Sequence, residues 1–536
     1  MDKKINLPSY GSLLLAFIFL QPLLDNYYFL NDSRFQVAGF SFVTIFRFMA
    51  LACFFVWACR RRLLPRPALW ACLAYGFLSA LYFCGHHLAA QRLLLPSGLE
   101  LHYSLPSEAF YILRLAYPLI LLLLLYFSGL QRRHLLLCLL ATAALISGLI
   151  IVTNLLGLSL NSYSNEPIKG SIISWFLSGS QQPDPNHLPS KAFFVFANQA
   201  AAIQILLLVP VFLFFIRHTT FISTLILAAQ LVASAMLGTK LAAFGSLAVL
   251  ACCLGLHFFG LLIPAPGRQR RYRALLLACL ILLGGGFLVY KGPALRLLDI
   301  HNNTIRQENT RREEHMRREE QARREQERQR DEGKEASSGS ESPEAAYIRK
   351  NYKRLRINPQ FILESYPYTQ DEEFWLAIMK EAPERILNYR YLETAMIRRV
   401  KELGGGRIHD FFGISYNKML SVFNIERDLL AQYYSLGYLG LLLFFVPYPL
   451  ILAYLLYRLI RRRSWPSLGQ LCLAAAVLAT FATGYLTGNV LDSIYVMTLL
   501  SAVLALLALD ILPRGTAVAS TEQSRSLTKI HNGEGI

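Results

Sequence analysis

Apolar residues along this chain gather in runs of about 20, each bounded by polar or charged stretches. At 1.5 Å per helical residue such a run crosses a hydrocarbon core of roughly 30 Å. Twelve runs stand out: 11–30, 37–59, 68–85, 109–130, 135–157, 193–216, 219–237, 241–263, 274–290, 434–457, 468–488 and 490–510. Residues 219–263 form one apolar stretch too long for a single span, and Gly238-Thr239-Lys240 divides it. The pattern predicts an all-α polytopic membrane protein with about 12 transmembrane helices and both termini on one side.

One polar interval is far longer than the rest, 291–433, between the ninth and tenth runs. Its 306–335 part is nearly all Arg, Glu and Gln, with opposite charges at i,i+3 and i,i+4, a pattern that supports a solvated helix. Residues 345–433 have the composition of folded structure. Phe374, Trp375, Ile378 and Met379 form one apolar helical patch, and after Pro383 the residues Ile386, Tyr389, Met396, Ile397, Val400 and Leu403 recur at helical spacing before Gly404-Gly405-Gly406. The chain therefore divides into helices 1–9 (1–290), a helical loop (291–433), helices 10–12 (434–510) and a tail (511–536).

Composition excludes several classes. Of 536 residues, 54% are hydrophobic and 16% charged, which rules out a soluble enzyme, a secreted disulfide scaffold and a disordered chain. The net charge of +18 arises from 53 Lys+Arg against 35 Asp+Glu. Its placement matters more than its size. Arg60, Arg61, Arg62, Arg66, Arg132, Arg133, Arg217, Arg268, Arg270, Arg271, Arg273, Arg458, Arg461, Arg462 and Arg463 all fall in alternate short loops. By the positive-inside rule those loops and both termini are cytoplasmic, the 291–433 loop is extracytoplasmic, and nucleic acid drops out as a partner. The nine cysteines lie in or beside apolar runs and read as small buried hydrophobes. The first run reads as an uncleaved span, because Gln21, Pro22 and Asp25 interrupt it.

Ionisable groups in spans are costly and mark functional candidates. Arg47 lies mid-span 2, Arg114 near the outer end of span 4, Lys240 at the outer end of span 8, and Asp25 near the outer end of span 1. Two readings stand: Asp25 pairs with Arg47 while Arg114 and Lys240 snorkel to headgroups, or the three cations form an electropositive pocket for a pyrophosphate. Before span 10, Glu426 and Asp428 precede Tyr433, Tyr434, Gly437 and Gly440. The carboxylates suit a general base with a positioning acceptor, or a helix N-terminus that favours negative charge. His86, His87 and His102 lack further ligands at metal spacing, so neither a metal nor a cofactor is expected.

Several segments, in order, resemble the O-antigen ligase and polymerase family. FANQAAAIQILLLVP at 196–210 matches its Asn-containing segment, with Asn198; MLGTKLAAFG at 236–245 matches its Thr-Lys segment, with Lys240. NYRYLETAMIRRV followed by DFFGISYNK matches the loop arginine and the turn after it, with Arg390, Gly413 and Tyr416, and Gly437 and Gly440 match the Gly-x-x-Gly element of span 10. Glu426 stands where ligases usually carry a His, which favours a polymerase or a divergent Gram-positive-type member; His409 is either a substitute base or a solvated loop residue. The resemblance implies a metal-independent glycosyltransferase of the bacterial cytoplasmic membrane. Its partners would be a polyprenyl-pyrophosphate-linked glycan donor, a glycan or glycolipid acceptor, and membrane lipid. Arg114, Lys240 and Arg390 would hold the pyrophosphate, Glu426 would take the acceptor proton, and Asp428 would position the acceptor or Arg390. The alternative is a twelve-helix transporter exporting polysaccharide or a lipid-linked substrate.

Overall fold

The computed structural model describes residues 9–24, 36–37, 40–94, 103–177, 184–260, 268–330, 342–415, 425, 427–463 and 466–512. Helices occupy the predicted apolar runs. The first group comprises α1 (Tyr10–Leu24), α2 (Phe42–Arg60), α3 (Arg66–Gln91), α4 (Leu105–Phe127) and α5 (Arg132–Leu155), followed by a short α6 (Ile172–Leu177). Next come α7 (Ala197–Arg217), α8 (Phe221–Leu237), α9 (Ser246–Gly260, led in by a wider turn at Leu241–Gly245) and α10 (Arg268–Lys291). The long interval holds α11 (Pro293–Arg330), α12 (Pro343–Asn351), α13 (Glu372–Met379), α14 (Pro383–Ile386), α15 (Tyr389–Gly404) and α16 (Arg407–Phe412). The chain closes with α17 (Asp428–Phe444), α18 (Pro447–Arg461), α19 (Leu468–Leu486) and α20 (Ile494–Ile511).

Among the described residues, ten helices are long and apolar enough to cross a membrane, taking α17 with α18 as one and Leu241–Gly260 as one. The shorter apolar helices α1 and α8, of 15 and 17 residues, fill the other two predicted positions. The fold is thus all-α and polytopic. Its small β element, β1 (Gln36–Val37) paired antiparallel with β2 (Phe40–Ser41), takes the start of the predicted second run. That span therefore begins later, where the Ser41 hydroxyl caps α2 by accepting from Thr44 N at 3.3 Å.

A helix that is apolar on every side belongs in the middle of a bundle. So it is here: α7 and α20 are buried along nearly their whole length, α20 packed on α4, α19, α5 and α7, and α7 on α5, α8, α9 and α19. The polar exceptions pair with each other, Gln204 bonding Ser147 at 3.1 Å and Gln230 at 3.3 Å. Peripheral helices α2, α3 and α10 turn Met49, Trp70, Phe77 and Leu283 outward, as lipid-facing helices do. All nine cysteines are free; Cys138, Cys253 and Cys472 are buried as expected, Cys59, Cys72 and Cys279 are partly buried, and for Cys53, Cys84 and Cys252, which are exposed, the expectation of burial fails. In the Gly284–Gly286 run only Gly285 packs tightly, against Leu231.

The arginine clusters collect at one end of the bundle. Arg132 pairs with Asp510 at 3.1 Å and Arg462 donates to Ile511 O at 2.8 Å, both at the C-terminal end of α20. The opposite end carries a helical cap with its own core of Trp375, Ile348, Ile362, Tyr366, Ile386, Leu392, Met396, Ile397 and Val400. Trp375 is fully buried and donates Nε1–H to Tyr366 O at 2.8 Å. Asp371 caps α13 and takes a two-pronged bond from Arg399, at 2.7 and 3.1 Å. Of the expected cap residues, Tyr389 and Leu403 are exposed instead of buried. The charged helix starts earlier than its composition suggested, at Pro293, and its first half is tied down. Glu308 is buried against Arg356 at 3.4 Å, and Asn309 donates to Glu384 at 2.6 Å.

Candidate functional site

The turn between α19 and α20, residues 487–493, is where cap and bundle converge. Asp428, the first residue of α17, is buried and accepts three backbone N–H groups there: Asn489 at 2.7 Å, Val490 at 2.7 Å and Leu491 at 2.5 Å. Asn489 holds φ +64, a left-handed conformation that Asn tolerates better than most residues and that helps aim successive N–H groups at one anion. The Asp428 N–H in turn donates to Thr487 O at 3.3 Å. Both carboxylate oxygens are thus engaged in fixing the turn, so the geometry favours an anchoring role over contact with an acceptor.

Two arginines from different parts of the chain bond either end of this connection. Arg390, in the first turn of α15, donates to Leu486 O at 3.3 Å. Arg114, from α4, pairs with Asp492 at 3.4 Å, each about one-fifth exposed, and its guanidinium stands 5.1 Å from the Tyr111 ring centre. The Tyr111 hydroxyl donates to Gln432, one turn along α17 from Asp428. From α7, Gln199 donates to Ser493 Oγ at 2.5 Å, and Ser493 caps α20. The neighbouring Asn198 is half-buried in the same first turn of α7.

The remaining candidates lie elsewhere. Lys240 is exposed at the lead-in to α9, and no described hydrogen bond or ion pair joins it to the turn. Its charge acts on His301 of α11, whose imidazole is held below its usual range first by burial and then by Lys240. Arg47 is buried within the bundle and donates to Gln21 at 2.9 Å, beside Tyr117. Glu426, Tyr416, Asp25 and His102 lie outside the described residues. His409 is neither solvated nor available as a base: it is buried, Nδ1 accepts from Gly406 N at 2.8 Å, and Nε2 donates to Ala89 O at 2.8 Å.

The glycines of the cap and of α17 press against each other. Gly413 (φ +79, ψ 178) and Gly437 (φ +66, ψ −172) both occupy a region that L side chains avoid. Between them run Ile414 N to Tyr434 O at 2.9 Å and the Tyr82 hydroxyl to Leu436 O at 2.6 Å. Gly440 faces the Tyr82 hydroxyl, which a Cβ would approach to 2.6 Å.

Two participants were not singled out from sequence. Asp492 lies inside the predicted 490–510 span and Glu108 at the edge of 109–130; an ionisable residue so placed was itself the available signal. Glu108 and His86 are fully buried and 3.2 Å apart, while His86 Nδ1 donates to Phe412 O at 2.5 Å and Ser415 Oγ donates to Glu108 at 2.5 Å. Because a carbonyl can only accept, Nδ1 donates to it and Nε2 is the ring nitrogen that faces the carboxylate. This group ties α3 and α4 to the cap segment that leads toward Glu426.

A family model described as O-antigen ligase like membrane protein matches residues 8–513. The chain belongs to the O-antigen ligase-like family. It is therefore a multi-pass membrane enzyme of cell-surface polysaccharide biosynthesis, of O-antigen ligase or polymerase type. No curated protein and no solved structure matches the chain. Within this O-antigen ligase-like protein, the match runs through both the bundle and the cap, and so takes in Arg114, Arg390 and Asp428 together.

Proposed function

We propose that this enzyme transfers a glycan from a polyprenyl-pyrophosphate carrier to an acceptor hydroxyl at the extracytoplasmic face of the bacterial cytoplasmic membrane. The observation that carries the reading is that Arg114, from the bundle, and Arg390, from the cap, bond the two ends of the α19–α20 connection, at Asp492 and Leu486. A forked guanidinium suits a phosphate better than any other side chain does, and two of them from separate elements can close on one leaving group. The sidedness follows from the arginine clusters at the end opposite the cap, which keep both termini cytoplasmic.

In the step itself the acceptor oxygen attacks the anomeric carbon as the bond from that carbon to the carrier's pyrophosphate breaks. The pyrophosphate leaves with the electron pair, its charge met by Arg114 and Arg390, with Lys240 adding a point charge to the approach. The acceptor proton passes to Glu426. Asp428 holds the turn that holds the arginines' partners, and Arg47, spent inside the bundle, is left out of the step. A carboxylate base in place of the ligase His favours a polymerase, which joins glycan to glycan.

Removing one charge-stabilising donor from such a site costs about 10²–10³ in rate. Arg390→Ala and Arg114→Ala are therefore expected to abolish detectable transfer while the protein accumulates normally in the membrane, and Lys240→Ala to reduce it. Normal surface glycan in the Arg390→Ala strain removes the role assigned to that residue.

A further inference from the structure

The cap carries a second basic site, away from the turn. The last turns of α15, the Gly405-Gly406 link and the first turns of α17 enclose an open cleft of about 400 Å³. Lys401, in its wall, follows Arg390 by eleven residues on the same helix, about 16 Å along the axis.

Three cations line the cleft, Arg398, Lys401 and Arg407, and two of them are already paired. Arg398 meets Glu402 at 2.8 Å and Lys401 meets Asp410 at 2.7 Å. Lys401 is also pinned in place, donating to the Tyr433 hydroxyl at 2.9 Å and standing 4.4 Å from the centre of that ring. Burial alone would weaken its hold on the proton, but Asp410 and Tyr433 more than offset this and keep the ammonium charged. Arg407 is different. It is exposed in the cleft and makes no described hydrogen bond or ion pair, so its whole fork is unspent. A fixed ammonium beside an uncommitted guanidinium, with both nearby carboxylates engaged, selects an oxyanion.

We propose that this cleft is an anion subsite, taking a phosphate or carboxylate borne by the glycan or by a lipid headgroup, distinct from the reacting pyrophosphate. The proposal rests on the transfer reading for its biological meaning. A glycan-borne group reaches the cleft along α15 from Arg390. A lipid-borne one reaches it from below, where α17 turns Tyr438 and Leu442 outward.

The test is binding to the purified full-length protein in uncharged detergent. The probes are trigalacturonate and phosphatidylglycerol, with maltotriose and phosphatidylcholine as their neutral counterparts. Arg407→Gln touches no partner and is expected to leave the thermal unfolding midpoint unchanged. At least one anionic probe should bind the parent protein about tenfold or more tightly than it binds the variant. Dependence of trigalacturonate on Arg407 assigns the site to the glycan, and dependence of phosphatidylglycerol assigns it to lipid. Equal binding of both anionic probes to parent and variant, or neutral probes binding as well as charged ones, overturns the site. Since the readout is binding alone, its failure is separate from any failure of the transfer reading, which shows in the glycans of the cell.

Discussion

Replacing Gly437 with Ala tests the joint between cap and bundle. Gly437 sits at φ +66 and ψ −172 within α17, a conformation that costs a residue with a side chain about 1–3 kcal/mol. An added Cβ would also stand 2.5 Å from the Phe411 carbonyl carbon and 2.6 Å from Gly413 N. Both are backbone atoms, so no side-chain rotation relieves the clash. The 411–415 segment must move, and with it go the bonds from Ile414 N to Tyr434 O and from His86 Nδ1 to Phe412 O. At about 1 kcal/mol each, these bring the expected loss to about 3–5 kcal/mol. The assay is thermal unfolding of the detergent-purified protein together with the surface glycan profile of the strain. The control is Gly284→Ala on α10, where a Cβ meets nothing within 4 Å and Ala is the better helix former. Gly437→Ala should unfold well below the parent and lose glycan product, while Gly284→Ala matches or slightly exceeds the parent. Equal unfolding of the two variants with normal glycan would refute the reasoning.

Three further outcomes follow from the same geometry. Asp428→Asn puts an amide where three N–H donors converge, so about 2–4 kcal/mol of stability should disappear, read as a lower unfolding midpoint and lost transfer. Glu108→Ala leaves His86 and Ser415 in the interior without the carboxylate they share, at a cost of about 1–3 kcal/mol; a midpoint equal to the parent's would contradict the structural role of this buried group. Lys191 is buried and bonded to Asn165 Oδ1 at 3.1 Å and Val195 O at 3.0 Å, and burial holds its pKa down at about 8. The unfolded lysine titrates near 10.4, so between about pH 8 and 10 the unfolded chain binds more protons and stability rises with pH. Lys191→Met removes that rise, which a comparison of the two midpoints across the window measures.

The spans were legible because transfer into lipid is a local sum: a run of about 20 apolar residues identifies itself wherever it lies. What reads poorly is where those helices end. The second run opens with a hairpin, α3 continues to Gln91 beyond the predicted 85, and α11 begins at Pro293 before the charge pattern starts. The site was legible as residue types and not as partnerships. Arg114 and Asp428 were found by their cost in or beside a span, but what each binds is set by residues far along the chain, Asp492 for Arg114 and the N–H groups of Asn489, Val490 and Leu491 for Asp428. Beside Glu426, Asp428 reads as the carboxylate that positions the acceptor or Arg390, and only the three N–H groups of the α19–α20 turn show it occupied. His409 misled in the same way, since its two partners, Gly406 N and Ala89 O, are backbone atoms that leave no trace in composition.

Removing the gene and resolving the cell's surface and lipid-linked glycans on a gel tests the transfer itself. The account predicts a block after the glycan has reached its lipid carrier. Single repeat units without the long-chain ladder mark a polymerase, and a full ladder stranded on the carrier marks a ligase. Surface and carrier-linked glycans identical to those of the parent strain would contradict it.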